Sequence, residues 1–243
     1  MIRRAALAVV ACAAMGAAVA GPPYVTDDPV PTDRGNWEIY HFAAGTKADG
    51  VRSGEAGIDL NYGAAEDLQL TLVLPLAYQQ DPRTRVGMGT VELAGKYRFL
   101  HAREGGAAPD VAFFPRLFVA SAADGLGPRR TQLLLPVWVG RDLGAWSLFG
   151  GGGYEFNPGD GTRDYWTGGI ALTRVLTPAM TLGAEFYGRS ADAVGGRSLV
   201  AANLGLTLAL APHWSLLASL GPGLQHARSE GQYGFYLALK ADY

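Results

Sequence analysis

The sequence predicts an all-β fold: a transmembrane, antiparallel, up-and-down β-barrel of about 12 strands. Three observations carry the expectation. From residue 36 onward the chain breaks into stretches of about ten residues in which apolar and polar side chains alternate, the pattern of strands that face lipid on one side and a lumen on the other. Beyond the first twenty residues nothing approaches the roughly 18 unbroken apolar residues of a membrane helix. Glycine stands at 34 of 243 residues and charged residues at 17%, a balance that suits strands and tight turns better than helices. A chain of this length can spend all of itself on one barrel.

Residues 1–20 read as a signal peptide. Arg3 and Arg4 form a basic start, Ala5 to Ala18 an apolar stretch, and Ala18-Val19-Ala20 a small-x-small cleavage site. Export is therefore expected. Cys12, the single cysteine, falls inside this leader, so a chain cut after Ala20 forms no disulfide. A lipoprotein box at Val9-Val10-Ala11-Cys12 is the alternative, with a very short apolar stretch ahead of the cysteine. The leader holds no acid, so losing its two arginines takes the formal charge from −2 to −2 − 2 = −4, which argues against nucleic acid as a partner.

Residues 21–35 hold prolines at 22, 23, 29 and 31 and the pair Asp27 and Asp28. This composition excludes a helix or a central strand. The segment is expected to be irregular, lying in the periplasm or plugging the lumen.

Residues 36–243 form the barrel domain. Ala56, Ile58, Leu60 and Tyr62 alternate with Glu55, Gly57, Asp59 and Asn61, and Leu68 through Leu76 place a leucine at every second position. Val91, Leu93, Tyr97 and Phe99 alternate with Glu92, Lys96 and Arg98, and the last strand sets Tyr233, Phe235, Leu237, Leu239 and Tyr243 against Gln232, Tyr236, Lys240 and Asp242. The strands are expected near 36–45, 54–63, 67–78, 89–100, 110–120, 131–140, 145–157, 164–175, 179–189, 198–210, 214–225 and 232–243. The fifth and sixth have the weakest register, because Pro115 and Pro136 interrupt them and Trp138 falls on the nominally inner face.

Connection lengths supply an independent check, since such barrels put short turns on the periplasmic side and longer loops outside. Ala64-Ala65-Glu66, Arg141 to Gly144, Leu176-Thr177-Pro178 and Ala211-Pro212-His213 are short. Gln79 to Met88, Ser121 to Arg130, Ser190 to Arg197 and His226 to Gly231 are longer, and His101 to Pro109 is an exception on the short side. This register collects Trp37, Tyr62, Tyr97, Phe99, Trp146, Trp214 and Tyr243 at one set of strand ends. Tyr78, Tyr154, Phe156, Trp166 and Tyr233 collect at the other, as two interfacial girdles require.

Several stretches resemble a family of Gram-negative exported proteins described as outer-membrane transporters of the meta-pathway of phenol degradation. They are Gly21-Pro22-Pro23-Tyr24-Val25-Thr26-Asp27-Asp28-Pro29, Gly95-Lys96-Tyr97-Arg98-Phe99, Gly150 to Tyr154 with Asn157-Pro158-Gly159, and Arg163-Asp164-Tyr165-Trp166. The resemblance spans nearly the whole mature chain. It implies an outer-membrane barrel that passes small, aromatic or hydrophobic molecules, with outer-membrane lipid and the barrel-assembly machinery, acting through the C-terminal strand, as partners. The terminal aromatic is Tyr243, where phenylalanine is commoner. The resemblance supplies no substrate and no binding residues.

The candidate lumen-lining residues are Glu55, Asp59, Glu92, Lys96, Arg98, Arg116, Glu155, Glu185 and Arg189. Lys96, Arg98 and Arg116 are expected to face Glu92, Glu155 and Glu185 across the interior, as structural props or as the lining of a wet pathway. No cofactor and no metal site is expected, because His41, His101, His213 and His226 are scattered. The chain reads as a non-enzyme. The alternative is a non-transporting barrel, structural or lipid-modifying, for which His213-Trp214-Ser215 is the only suggestive spacing. Gly150 to Gly153 lacks the following lysine of a phosphate loop and reads as close packing inside a strand.

Overall fold

The computed structural model describes residues 23–103 and 106–243; the leader expected over 1–20 lies outside them. The chain forms β1 (Trp37–Ala48), β2 (Val51–Ala65), β3 (Leu68–Asp81), β4 (Arg83–Met88), β5 (Glu92–Leu100), β6 (Asp110–Phe113), β7 (Arg116–Phe118), β8 (Gln132–Leu143), β9 (Trp146–Phe156), β10 (Tyr165–Thr177), β11 (Met180–Arg189), β12 (Leu199–Ala211), β13 (Trp214–Gln225), α1 (Ala227–Glu230) and β14 (Tyr233–Asp242). Every pairing between these strands is antiparallel. β14 returns to β1 with Glu38 opposite Asp242 and Lys47 opposite Tyr233, so the sheet closes on itself into a barrel.

The segments make twelve wall strands. β4 and β5 both pair with β3, through Leu76 opposite Met88 and Val73 opposite Glu92, and form one strand interrupted at 89–91. β6 and β7 likewise form one strand between β5 and β8, broken at Phe114-Pro115. Proline has no N–H to give the ladder. The break is stitched from outside the regular pattern: the Phe114 N–H donates to the Pro136 carbonyl at 3.1 Å and the Gly95 N–H to the Pro115 carbonyl at 3.2 Å.

Outward faces are apolar along the belt. Leu70, Leu74 and Leu76 on β3, Leu93, Tyr97 and Phe99 on β5, and Leu204 and Leu220 on β12 and β13 are exposed, Leu76 at 59%. In water such a continuous apolar surface would cost on the order of 25 cal/mol for each Å² left exposed, so the fold needs an apolar surround. Inward faces are mixed. On β8, Leu134, Pro136, Trp138 and Gly140 are buried while Val137 and Val139 are exposed, so Trp138 points into the barrel although period-two polarity favours a polar residue there. Gly151 lies opposite, and a Cβ there would come within 3.0 Å of the Trp138 ring, so the glycine run clears space for the indole.

Two connections differ from expectation. Residues 79–88 are not a loop: β3 runs to Asp81, Pro82 turns, and β4 leads back with Asp81 opposite Arg83. Past the apolar belt β3 ends in Gln79, Gln80 and Asp81, polar on both faces, and β4 alternates over only six residues, too few to be recognised as a strand. β1 and β2 meet at Asp49-Gly50, whose φ values of 48° and 85° give the left-handed two-residue hairpin suited to strand twist. β2 therefore begins at Val51. The connection after Leu100 is tied down, with the His101 ring 2.9 Å from Asp67 and the Ala102 N–H donating to Asp110 at 3.2 Å.

Candidate functional site

The barrel interior is organised by residues 23–35, which cross it as an extended strap. Entry is fixed beside β2, where Arg34 bridges Gly63 and the Gly35 N–H donates to the Gly63 carbonyl at 2.7 Å. Both the N–H and the hydroxyl of Thr32 donate to the Gln69 side chain, at 2.8 and 3.1 Å. Gln69 in turn donates to Asn61 at 2.7 Å and to Thr71 at 3.0 Å. Farther in, Asp27 meets the Lys96 ammonium at 3.0 Å. The backbone N–H groups of Val25 and Thr26 then donate to the two carboxylate oxygens of Glu185, at 3.0 and 2.9 Å. Ser219 donates to the Pro23 carbonyl on the far wall.

The wall is cut to fit this strap. A Cβ at Gly205 would lie 2.3 Å from the Tyr24 ring, and one at Gly183 2.5 Å from its hydroxyl. Gly140 receives Pro29 in the same way, at 2.8 Å. These glycines are required by close approach rather than by a turn. Phe149 flanks Tyr24 at 6.2 Å between centroids.

Above and below the strap lie two cavities. The outer one, about 700 Å³, is lined by Tyr24, Glu55, Tyr187, Arg189, Asn203 and Tyr236. The inner one, about 750 Å³, is bounded by Asp27, Asp28, Glu38, Asp59, Glu92, Lys96 and Arg116. Tyr24, Val25 and Tyr236 border both and mark the constriction between them.

The charges expected in the lumen resolve into separate sets. Arg116 holds Glu92 through two hydrogen bonds of 2.6 and 2.9 Å, a bidentate pair. The Phe114 ring lies beneath both cations, 4.9 Å from the Lys96 nitrogen and 5.6 Å from the Arg116 guanidinium. Lys96, 4% exposed, faces Asp27 of the strap and not a wall glutamate. Arg98 does not face a glutamate across the interior. It clamps Asp67 at 2.8 Å and Asp110 at 3.4 Å, because β5 ends beside the β2–β3 turn. Glu185, 1% exposed, takes the strap's amides and the Asn203 amide at 2.8 Å. Arg189 sits at the outer mouth, 2.8 Å from Asp192 and 3.1 Å from Glu230. Asp59 accepts from Asn61 at 2.9 Å, Glu155 is buried opposite Tyr165, and Glu55 lines the outer cavity.

Several residues of this interior stood outside the sequence expectation. Glu38 accepts the Tyr40 hydroxyl at 2.7 Å and lies 3.3 Å from Lys240, which also meets Asp242 at 2.9 Å. The polar face of the last strand carries Lys240 and Tyr236 and held that signal. Nothing in the spacing of Tyr24, Tyr187 and Asn203 announces that they meet. No hydrogen bond joins His213 to Ser215 among the described residues, where there is also no cluster able to hold a metal.

Of the girdle residues, Trp37 packs against Tyr62 with centroids 4.6 Å apart, and Tyr154 contacts Trp166 at 5.1 Å. The Arg174 guanidinium covers Trp146 at 4.9 Å. Tyr97, Phe99, Trp166 and Tyr243 are exposed and Trp214 is half-buried.

Asp28 is the strap's buried carboxyl, its side chain accepting the Val30 N–H at 2.7 Å. Burial pushes it up to about 7; Lys96 pulls it down, and Asp27 and Glu38 push it further up. Docking thus favours the protonated acid. A group raised when docked stabilises fully below its ordinary value near 3.8, and that stabilisation is lost as pH rises through about 7. Strap release is therefore expected to be easier at about pH 8 than at about pH 5. Thiol labelling of Thr26→Cys in a Cys12→Ser background, divided at each pH by the rate of the same protein unfolded in urea to remove the thiol's own ionisation, reads it out. Asp28→Asn, which keeps an oxygen for Val30, is expected to flatten the dependence; an unchanged pH profile would refute the assignment.

No family model and no curated protein matches the chain. Among solved structures, the COG4313 outer membrane channel from Pseudomonas putida F1 is similar at a TM-score of 0.70 and 13% identity, over 89% of this chain and 98% of that one. The translocator domain of the autotransporter NalP from Neisseria meningitidis aligns at a TM-score of 0.48 and 13% identity, over 85% and 86%. The chain is a closed, antiparallel, twelve-stranded β-barrel with the fold of the Pseudomonas putida channel.

Proposed function

We propose that this chain is an outer-membrane channel for small molecules, aromatic or hydrophobic ones included, whose lumen is constricted by the strap at residues 23–35. The observation that carries the reading is the pair of cavities on either side of Tyr24 and Val25. A barrel that served only as an anchor or scaffold has no use for a divided, partly aromatic interior.

A membrane location is supported by the exposed apolar belt and by ring closure, since only helices and closed barrels satisfy their backbone groups in lipid. An outer membrane is supported by the fold shared with the Pseudomonas putida channel. The orientation rests on connection lengths: the turns at 144–145, 178–179 and 212–213 gather at the end that carries Tyr243, and the segments 119–131, 157–164 and 190–198 gather at the other. The aromatic or hydrophobic cargo rests on the tyrosines and apolar residues of the outer cavity and on the resemblance of residues 21–29 to the phenol meta-pathway family. Refolded protein in a planar bilayer is expected to give discrete conductance steps. Absence of conductance at every voltage and in every solute would sink the reading.

A further inference from the structure

Among the described residues the walls of the two cavities carry three lysine and arginine side chains, and each is paired. Lys96 is held by Asp27, Arg116 by Glu92, and Arg189 by Asp192 and Glu230. Lys240, over the Tyr40 ring, is held by Glu38 and Asp242. Glu55 on the outer cavity's wall and Asp59 on the inner one's have no basic partner among the described residues. Asp59 has one side-chain hydrogen bond there, from Asn61 at 2.9 Å, and Glu55 has none. The Arg116–Glu92 pair lies within electrostatic reach of both, but as a pair it is neutral. The surplus charge of the cavity walls is therefore negative.

The two acids stand on either side of the constriction. β2 sets them four residues apart on one face with Gly57 between them, about 13 Å at ~3.3 Å per residue. Glu55 is flanked by Ala44 on β1 and Ala77 on β3, whose methyl groups cannot bond a carboxylate. Beyond Ala44 the same row reaches Tyr236, which borders both cavities and stacks on Phe42 with centroids 6.3 Å apart and planes 11° apart. The step between the acids is thus aromatic, with Tyr236 on the wall and Tyr24 on the strap. Asn203, 6% exposed on the outer cavity's wall, adds an acceptor, since its amide oxygen has no donor among the described residues. A cation is attracted by the acid in each cavity and by the rings between them. A neutral arene uses only the rings, and an anion is repelled at both acids.

We propose that the cargo of this lumen is a small organic cation, an aryl or alkyl ammonium, passed from Glu55 to Asp59 along the rings of Tyr24 and Tyr236. This names the substrate class of the channel and rests on the channel reading given above. Glu55 and Asp59 set the sign of the charge that enters, and the two tyrosines favour an ammonium that can face a ring over one that needs its full hydration shell.

The test is the reversal potential of the refolded chain in a planar bilayer at neutral pH, first across a gradient of potassium chloride and then with phenethylammonium chloride and with sodium benzoate. Potassium is expected to be about tenfold more permeant than chloride, the scale on which a lumen of one sign concentrates its counter-ions. Phenethylammonium is expected to carry current and benzoate to carry none. Glu55→Gln/Asp59→Asn, which keeps the shape of both side chains, is expected to lower the potassium preference about threefold or more. Glu55→Gln alone, with a smaller fall, serves if the double variant does not show the heat-modifiable gel migration of a folded barrel. A preference for chloride, or none, overturns the inference, as does an unchanged ratio in the folded variant. Benzoate current equal to that of phenethylammonium overturns the cargo class. Absence of conductance in every salt is a separate outcome: it overturns the channel reading itself, and the inference with it.

Discussion

Replacing Glu185 by alanine is expected to free the strap. The carboxylate accepts the N–H groups of Val25 and Thr26, both donors on an otherwise irregular segment, and nothing else in reach replaces it. Each buried donor left without an acceptor costs about 1–3 kcal/mol, and bonds to a charged acceptor lie at the upper end. A loss of about 3 kcal/mol shifts the docked-to-undocked ratio by roughly a hundredfold. Thiol labelling of Thr26→Cys, at a position 1% exposed in the intact protein, is expected to accelerate by that order in the Glu185→Ala background. Glu185→Gln, which keeps one oxygen, is expected to fall between. Equal labelling rates in all three proteins would mean that the strap is held elsewhere.

Replacing Arg116 by leucine is expected to lower the stability of the barrel rather than to move the strap. Glu92 is buried and would lose both of its hydrogen bonds, while Glu55 and Asp59 from β2 bring charge of the same sign within electrostatic reach. Breaking a buried pair from one side costs about 3–5 kcal/mol; the Arg116 side chain retains 29% of its exposure, which moves the expectation to about 3 kcal/mol. Urea unfolding in detergent measures it. Glu92→Leu/Arg116→Leu is expected to recover most of the loss, because two well-packed apolar groups replace a buried pair at little cost. A double variant no better than the single would show that the pair is not the origin of the effect.

The strand order and the closure were legible from alternation and connection length, because the lipid-facing positions admit only apolar side chains and the sheet period is two. Leu68 to Leu76 and Tyr233 to Tyr243 show this most clearly. What failed to read had physical causes. Past the belt β3 ends in Gln79, Gln80 and Asp81, polar on both faces, and β4 alternates for only six residues, so the loop expected at 79–88 is a hairpin. Trp138 breaks the polarity rule because an interior cavity can be filled by an indole where a glycine faces it. The charge-bearing positions could be found by parity, but of their partners only Glu92, for Arg116. Lys96 belongs with Asp27 and Arg98 with Asp67 because the strap's path and the tilt of the strands decide who meets whom, and neither is written in local spacing. Asp27 is the strap's charged contact, on Lys96, while Asp28 is the buried carboxyl that folds back on the Val30 N–H.

Single-channel conductance of the intact chain and of a chain lacking residues 23–33, recorded in the same bilayer and salt, tests the central claim most directly. The strap separates cavities of about 700 and 750 Å³, so its removal is expected to join them and raise the unit conductance severalfold. Equal conductance in the two proteins, with both confirmed as folded barrels, would show that residues 23–35 do not set the constriction.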